Sequence, residues 1–176
     1  MTDYRRILIP GATYFFTVNL ANRRKTFLID HIDLLRDAIR YTRQRHPFLI
    51  DAMVVLPDHL HAIWTLPWDD ADFSLRWRLI KTWFSRNLPL GEHRRASRVD
   101  KGERGIWQRR YWEHLIRDEI DFARHVDYIH WNPVKHGYVA RVVDWPYSTF
   151  HRFVRDGGLT KDWDDGGDDA SFGERQ

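Results

Sequence analysis

The sequence predicts an α+β fold: a ferredoxin-like antiparallel sheet backed by helices. Three observations point to it. Residues 14–20 (YFFTVNL) form an aromatic, β-branched run of the kind that fills a buried strand. Residues 48–56 and 59–66 are two further apolar runs separated only by Pro57-Asp58, so they pair as an antiparallel hairpin. Amphipathic helical stretches lie before and after that hairpin, giving the order β–α–β–β–α–β–α.

Each element has its own signal. Asp30 is the expected N-cap of a helix reaching Arg45, with Ile32, Leu35, Ala38, Ile39 and Thr42 as its apolar stripe and Pro47 as its stop. A second helix starts at Asp72 or Ser74 and runs to Ser85. Leu75, Leu79, Ile80 and Phe84 face inward there, and Arg76, Arg78, Lys81 and Arg86 outward. Residues 87–105 have little hydrophobic periodicity and read as a mobile basic loop. The fourth strand is expected over 107–113 (WQRRYWE), extending as far as Ile116. Asp118 then caps a third helix through Trp131, which Asn132-Pro133 ends, and 134–138 is a turn or short helix. An aromatic segment follows over 145–153. The expected organisation is one domain over residues 1–155 and an acidic, flexible tail over 156–176.

At 176 residues the chain is long enough to bury roughly two-thirds of its extended surface, which excludes wholesale disorder. It has no cysteine, so disulfides, thiolate metal sites and cysteine nucleophiles are all excluded. No apolar run is long enough to span a membrane, no signal peptide is evident, and no Gly-rich nucleotide loop is present. A cytoplasmic protein is expected. Charge is uneven. The last sixteen residues hold six acids and two bases, whereas 76–110 holds eleven bases and three acids. A basic stripe on a mixed domain fits either a polyanionic partner or a solvated face.

Two groups of residues carry chemistry. His59 and His61 are two apart on the third strand, so both imidazoles project from one face and can share a divalent ion. Two histidines at that spacing also arise by chance in a chain with ten. Tyr128 and Asn132, at i,i+4 on the third helix, stack on one helical face and offer a phenolic oxygen and an amide carbonyl. Alternatively, Tyr128 is a core aromatic and Asn132 a helix-end residue. Asp58 either caps its turn or orients a histidine. His125 and His130 flank the tyrosine as packing residues or as proton-transfer groups.

Two blocks, PDHLHAIWTLP (57–67) and RRYWEHLIRDEIDFARHVDYIHWNPVKHGYV (109–139), resemble the REP-associated tyrosine transposases. These are chromosomal relatives of the single-tyrosine (IS200-like) transposases in the HUH superfamily. The opening YRRILIPGATYFFTVNL and the late DWPYSTFHR match the same pattern, so the likeness runs from about Tyr4 to Arg155. The resemblance implies that His59 and His61 are metal ligands, Asn132 the third ligand and Tyr128 the nucleophile. It also implies a Mg²⁺ or Mn²⁺ cofactor. The partner would be single-stranded DNA and imperfect hairpins of REP-type palindromes, cut and rejoined through a 5′-phosphotyrosine. Insertion-sequence relatives more often carry Gln as the third ligand, and Asn132 points to the chromosomal branch. A catalytically silent hairpin-binding protein and a water-using metal nuclease are the alternatives. Monomer and homodimer are both compatible with the sequence.

The expected DNA-binding set is Arg5, Arg6, Arg76, Arg78, Lys81, Arg86, Arg94, Arg95, Arg98, Lys101, Arg104, Arg109 and Arg110. Trp77, Trp83, Trp107, Tyr111 and Trp112 are interleaved with them; most belong to the core, and one or two meet a base. When bound to DNA, such a protein would associate with the nucleoid.

Overall fold

A computed structural model describes residues 6–89 and 104–164. The chain runs β1 (Thr13–Asn19), α1 (Phe27–Asp30), α2 (Ile32–Arg45), β2 (Leu49–Val55), β3 (His59–Thr65), α3 (Phe73–Asn87), β4 (Trp112–Leu115), α4 (Glu119–Lys135) and α5 (Phe150–Arg155). The strands form one antiparallel sheet in the order β2-β3-β1-β4, the ferredoxin-like arrangement that the element order predicts.

Strand alternation sorts the side chains onto two faces. Tyr14, Phe16 and Val18 of β1 join Leu60, Ala62 and Trp64 of β3 under α2 and α3, with Leu35, Ala38, Trp77, Ile80 and Phe84 completing that core. Trp64 and Trp77 stack there at 4.1 Å. The other face of the sheet presents Phe15 and Ile63 to Val126, Tyr128 and Ile129 of α4. In the β1–β3 register Thr17 lies opposite His61 and Asn19 opposite His59, so this second face carries the paired histidines directly beneath α4.

Helix starts follow the expected caps at two of three places. The Asp72 carboxylate accepts from the Leu75 N–H and the Asp118 carboxylate from the Asp121 N–H. Asp30 does not cap α2. It closes the short α1 and accepts from the Thr26 hydroxyl at 2.5 Å, while His31 stands at the N-cap of α2 without a side-chain bond. The fourth strand is also displaced. Trp107 makes only a single bridge, to Leu20, and continuous pairing begins at Trp112.

The largest departure is at the end of α4. Pro133 was the expected stop, but the helix continues through it to Lys135. Proline forfeits one i→i−4 bond, yet its fixed φ suits a helix, and here it sits in the last turn. The stop is set by Gly137, at φ +72°. The Gly137 N–H reaches Val134 O (2.9 Å) and the Tyr138 N–H reaches Pro133 O (3.0 Å), the paired bonds of a Schellman ending. Residues 156–164 are described and hold no strand or long helix. The expected flexible stretch beyond them lies outside the described residues.

Candidate active site

The β3 histidines are held from behind. His59 Nδ1 lies 2.8 Å from Asp58 Oδ1, and the other oxygen of that carboxylate accepts from Arg23 Nε. Arg23 also donates to Asn19 Oδ1 at 3.0 Å. Asp58 is therefore more than a turn residue: it fixes the ring of its neighbour. Burial pushes the Asp58 carboxyl up, but hydrogen bonds from His59 and Arg23 outweigh it and hold the group below the usual carboxylate range. His61 Nδ1 pairs with Thr17 Oγ1 at 2.9 Å. With Nδ1 engaged on each ring, Nε2 is the nitrogen by which each imidazole could hold a metal ion. Burial, working against the Asp58 contact, pulls His59 below its ordinary value and favours the neutral, metal-binding form.

Helix α4 lays its chemistry over these rings. The Tyr128 ring lies 5.2 Å from that of His61, and the His59 and His61 rings lie 5.1 Å apart. Phe15 borders both Tyr128 (6.0 Å) and His61 (5.5 Å). Tyr128 and Asn132 are both buried. His136, just past the helix, places its ring 5.1 Å from His59. The structure thus brings His59, His61 and Tyr128 together within one chain, with Asn132 one turn beyond the tyrosine on the same helical face. The donor set of two imidazoles and an amide carbonyl fits a divalent ion of the Mn²⁺ type better than one that demands oxygen ligands alone.

His125 and His130 are buried in other surroundings. His125 stacks on His114 at 4.7 Å, and both contact Asp121, whose carboxylate also accepts from the Arg117 backbone and side chain. Burial tends to raise Asp121, but the His114 and Arg117 bonds hold it at about 2. The ligand atoms of His114, Asp121 and His125 all lie within 4.8 Å of one another, close enough to hold a metal ion. Arg117 shares that carboxylate, however, and His125 Nδ1 is turned to the Asp121 carbonyl at 2.7 Å, so the group mainly braces α4 against β4. His130 contacts Thr149 Oγ1 at 3.1 Å, and burial drives it down to about 3.

The expected basic surface divides. Arg78, Arg86, Arg109 and Arg110 are exposed. Arg76 is not outward-facing: at 1% exposure it donates to Asp72 O (2.9 Å), Pro47 O (2.8 Å), His46 O (3.3 Å) and Asp70 Oδ2 (2.7 Å). Its guanidinium satisfies carbonyls at the end of α2 and the start of α3, which corrects its place in the expected DNA-binding set. Arg104 donates to the Ser85, Leu88 and Pro89 carbonyls at the C-terminal end of α3. Arg6 is tied to Glu113 (3.1 Å) and Ser74 (2.7 Å) and lies over the Tyr111 ring. Lys81 donates to Gln108 O at 3.0 Å, and desolvation, then the Arg6 charge, pulls its ammonium down to about 8. Arg5, Arg94, Arg95, Arg98 and Lys101 lie outside the described residues. Among the aromatics Trp77 and Trp107 are core, while Trp112 on β4 is 36% exposed, on the same sheet face as His61. Trp68, at 85% exposure, was not singled out in the sequence. Arg23 and Lys135 were also missed, since neither shows a local pattern.

A tyrosine on a helix set across paired strand histidines is the arrangement implied by the likeness to single-tyrosine transposases. The chain is 50% identical over 175 residues to a REP-associated tyrosine transposase of Escherichia coli, covering 99% of this chain and 98% of that protein. A Haemophilus influenzae protein named for the same family is 48% identical over 165 residues, 93% of each chain. No protein-family model matches the chain. A solved REP-associated tyrosine transposase, bound to a REP hairpin, superposes with a TM-score of 0.85 at 50% identity, covering 100% of this chain and 99% of that one. This chain belongs to the REP-associated tyrosine transposases. No helix among the described residues is long and apolar enough to cross a membrane.

Proposed function

We propose that the protein binds REP-type DNA hairpins and cuts and rejoins the adjoining single strand through Tyr128, with His59, His61 and Asn132 holding Mg²⁺ or Mn²⁺. The observation that carries this reading is the 5.2 Å contact between the Tyr128 and His61 rings, within one chain and under one helix. The hairpin-bound relative, half identical to this chain, supports the choice of DNA.

In the reaction the Tyr128 oxygen attacks a phosphate in line, and the P–O3′ bond breaks toward the 3′ oxygen. The DNA is left joined by its 5′ phosphate to the tyrosine. A free 3′-OH can later attack that link and restore a phosphodiester, so bond energy is conserved and no nucleotide cofactor is needed. When bound, the metal would polarise the scissile phosphate and offset developing charge. Asp58 and Arg23 keep His59 oriented, and Thr17 does the same for His61. Phe15, Val126 and Ile129 share an apolar cluster with the tyrosine and help fix its position. Exposed Arg78, Arg86, Arg109 and Arg110 would contact phosphates, and Trp112 would stack an unpaired base. A protein of this kind works in the cytoplasm, at the nucleoid.

Cleavage of synthetic REP-type hairpins with a single-stranded foot tests the reading. Wild type with Mn²⁺ is expected to cut and leave a denaturant-resistant adduct. Tyr128→Phe should bind but not cut, and His61→Ala should lose metal-dependent cutting. Tight binding without cutting in either ion would instead favour a purely binding protein, and cutting without an adduct would favour a water nucleophile.

A further inference from the structure

The continuation of α4 through Pro133 has a consequence for the nucleophile. Lys135 lies seven residues beyond Tyr128, two helical turns, and therefore returns to the same face. Its Nζ donates to the Tyr128 hydroxyl at 3.5 Å, and the ammonium sits 4.7 Å from the centre of the phenol ring. We propose that Lys135 is a catalytic residue of strand transfer, holding the Tyr128 oxygen when it attacks in cutting and when it departs in rejoining. The proposal rests on the reading of Tyr128 as nucleophile.

The surroundings of the tyrosine call for such a group. Tyr128 is 4% exposed, its ring lies 6.0 Å from that of Phe15, and Val126 and Ile129 belong to the same apolar cluster. A phenolate in that setting is poorly stabilised by water, so charge on the oxygen needs a partner inside the protein. His61 from β3 and Lys135 from its own helix both contact the Tyr128 ring. His61 serves as a metal ligand only when neutral, whereas the Lys135 ammonium brings a positive charge to the phenol oxygen. Fixed charge placed where an oxyanion develops is the most effective form of electrostatic catalysis, because nothing has to reorganise as the reaction proceeds.

The step balances without a further reactant. In cutting, the Tyr128 proton passes to solvent and the Oη–P bond forms. The P–O3′ bond breaks with its electron pair on the 3′ oxygen, which takes a proton from solvent. In rejoining, an incoming 3′-OH loses its proton, the new O3′–P bond forms, and Oη leaves with its electron pair before regaining a proton. Lys135 transfers no proton in either step and acts by charge and hydrogen bonding alone.

The test uses the full chain, Mn²⁺ and a synthetic REP-type hairpin with a single-stranded foot. Single-turnover cutting and rejoining rates and hairpin Kd are measured for wild type, Lys135→Met and Lys135→Arg. The methionine variant should cut and rejoin about 10²–10³-fold more slowly, the usual loss for one oxyanion donor, with hairpin Kd within about threefold of wild type. Arginine should recover at least about tenfold of that loss, since it restores a cationic donor. Replacing the Tyr128 phenol by a fluorinated one, a better leaving group, should speed rejoining more in Lys135→Met than in wild type. A methionine variant that keeps wild-type rates overturns the proposal. So does one whose Kd weakens as much as its rate falls, because Lys135 would then be a plain DNA contact. Equal fluorotyrosine effects in both proteins would assign the loss to packing. If wild type forms no adduct at all, the nucleophile reading falls and takes this proposal with it, whereas an intact adduct with a silent Lys135 variant overturns the lysine alone.

Discussion

Arg76 is structural charge and no part of the proposed DNA surface, and its replacement has a calculable cost. The guanidinium donates to three backbone carbonyls, at His46, Pro47 and Asp72, and to the Asp70 carboxylate, while the side chain as a whole is 1% exposed. The carboxylate responds: the Arg76 hydrogen bond holds Asp70 below its usual range. Arg76→Met keeps an unbranched apolar stem against Phe48 but removes every donor. The half-exposed Asp70 regains water, so its share of the loss is small; the carbonyls at the end of α2 are less able to do so. Breaking such a buried network costs about 3–5 kcal/mol. At about 2–4 °C per kcal/mol for a chain of this size, Tm should fall on the order of 10 °C. Thermal melts followed by tryptophan fluorescence read this directly, and hairpin affinity measured well below both melts should stay within about twofold of wild type. An unchanged Tm with affinity weakened tenfold would refute the reasoning and return Arg76 to the DNA surface.

Three other outcomes follow from the same structure. Asp58→Asn removes the charged acceptor behind His59 and should weaken Mn²⁺ affinity about 10–100-fold by calorimetry, and equal affinity would detach Asp58 from the metal site. Gly137→Ala meets open space but forces alanine to φ +72°, so it should cost about 1–2 kcal/mol in urea unfolding, and a neutral result would mean the Schellman ending relaxes freely. His130 has its folded value lowered to about 3 by burial, so the stability it contributes is full above the ordinary histidine value and is lost as pH falls toward 3. His130→Gln, which does not titrate, should therefore show a shallower decline in urea midpoint between pH 7 and pH 4, and a parallel decline would place the acid sensitivity elsewhere.

What the sequence revealed, and what it hid, follows the range of each interaction. The β3 histidines were legible because strand period two puts residues 59 and 61 on one face whatever the tertiary fold. Tyr128 and Asn132 were legible in the same way from helical spacing. Arg76 was misplaced because three of its four partners are main-chain carbonyls, two of them at the far end of α2, and these leave no mark in side-chain pattern. Arg23 was invisible because its partner Asp58 lies 35 residues away. Lys135 was hidden by Pro133: the expected stop after Trp131 cut the helix four residues short, although the glycine that does end it stood at 137.

The central claim is that one side chain, Tyr128, becomes covalently joined to DNA. Wild-type protein should be incubated with a hairpin carrying a single-stranded foot and Mn²⁺, denatured, digested with trypsin and nuclease, and mapped by mass spectrometry. The account predicts a nucleotide attached through its 5′ phosphate to the peptide containing Tyr128, and none in Tyr128→Phe. A nucleotide on a different residue, or an adduct that survives in the phenylalanine variant, would contradict it.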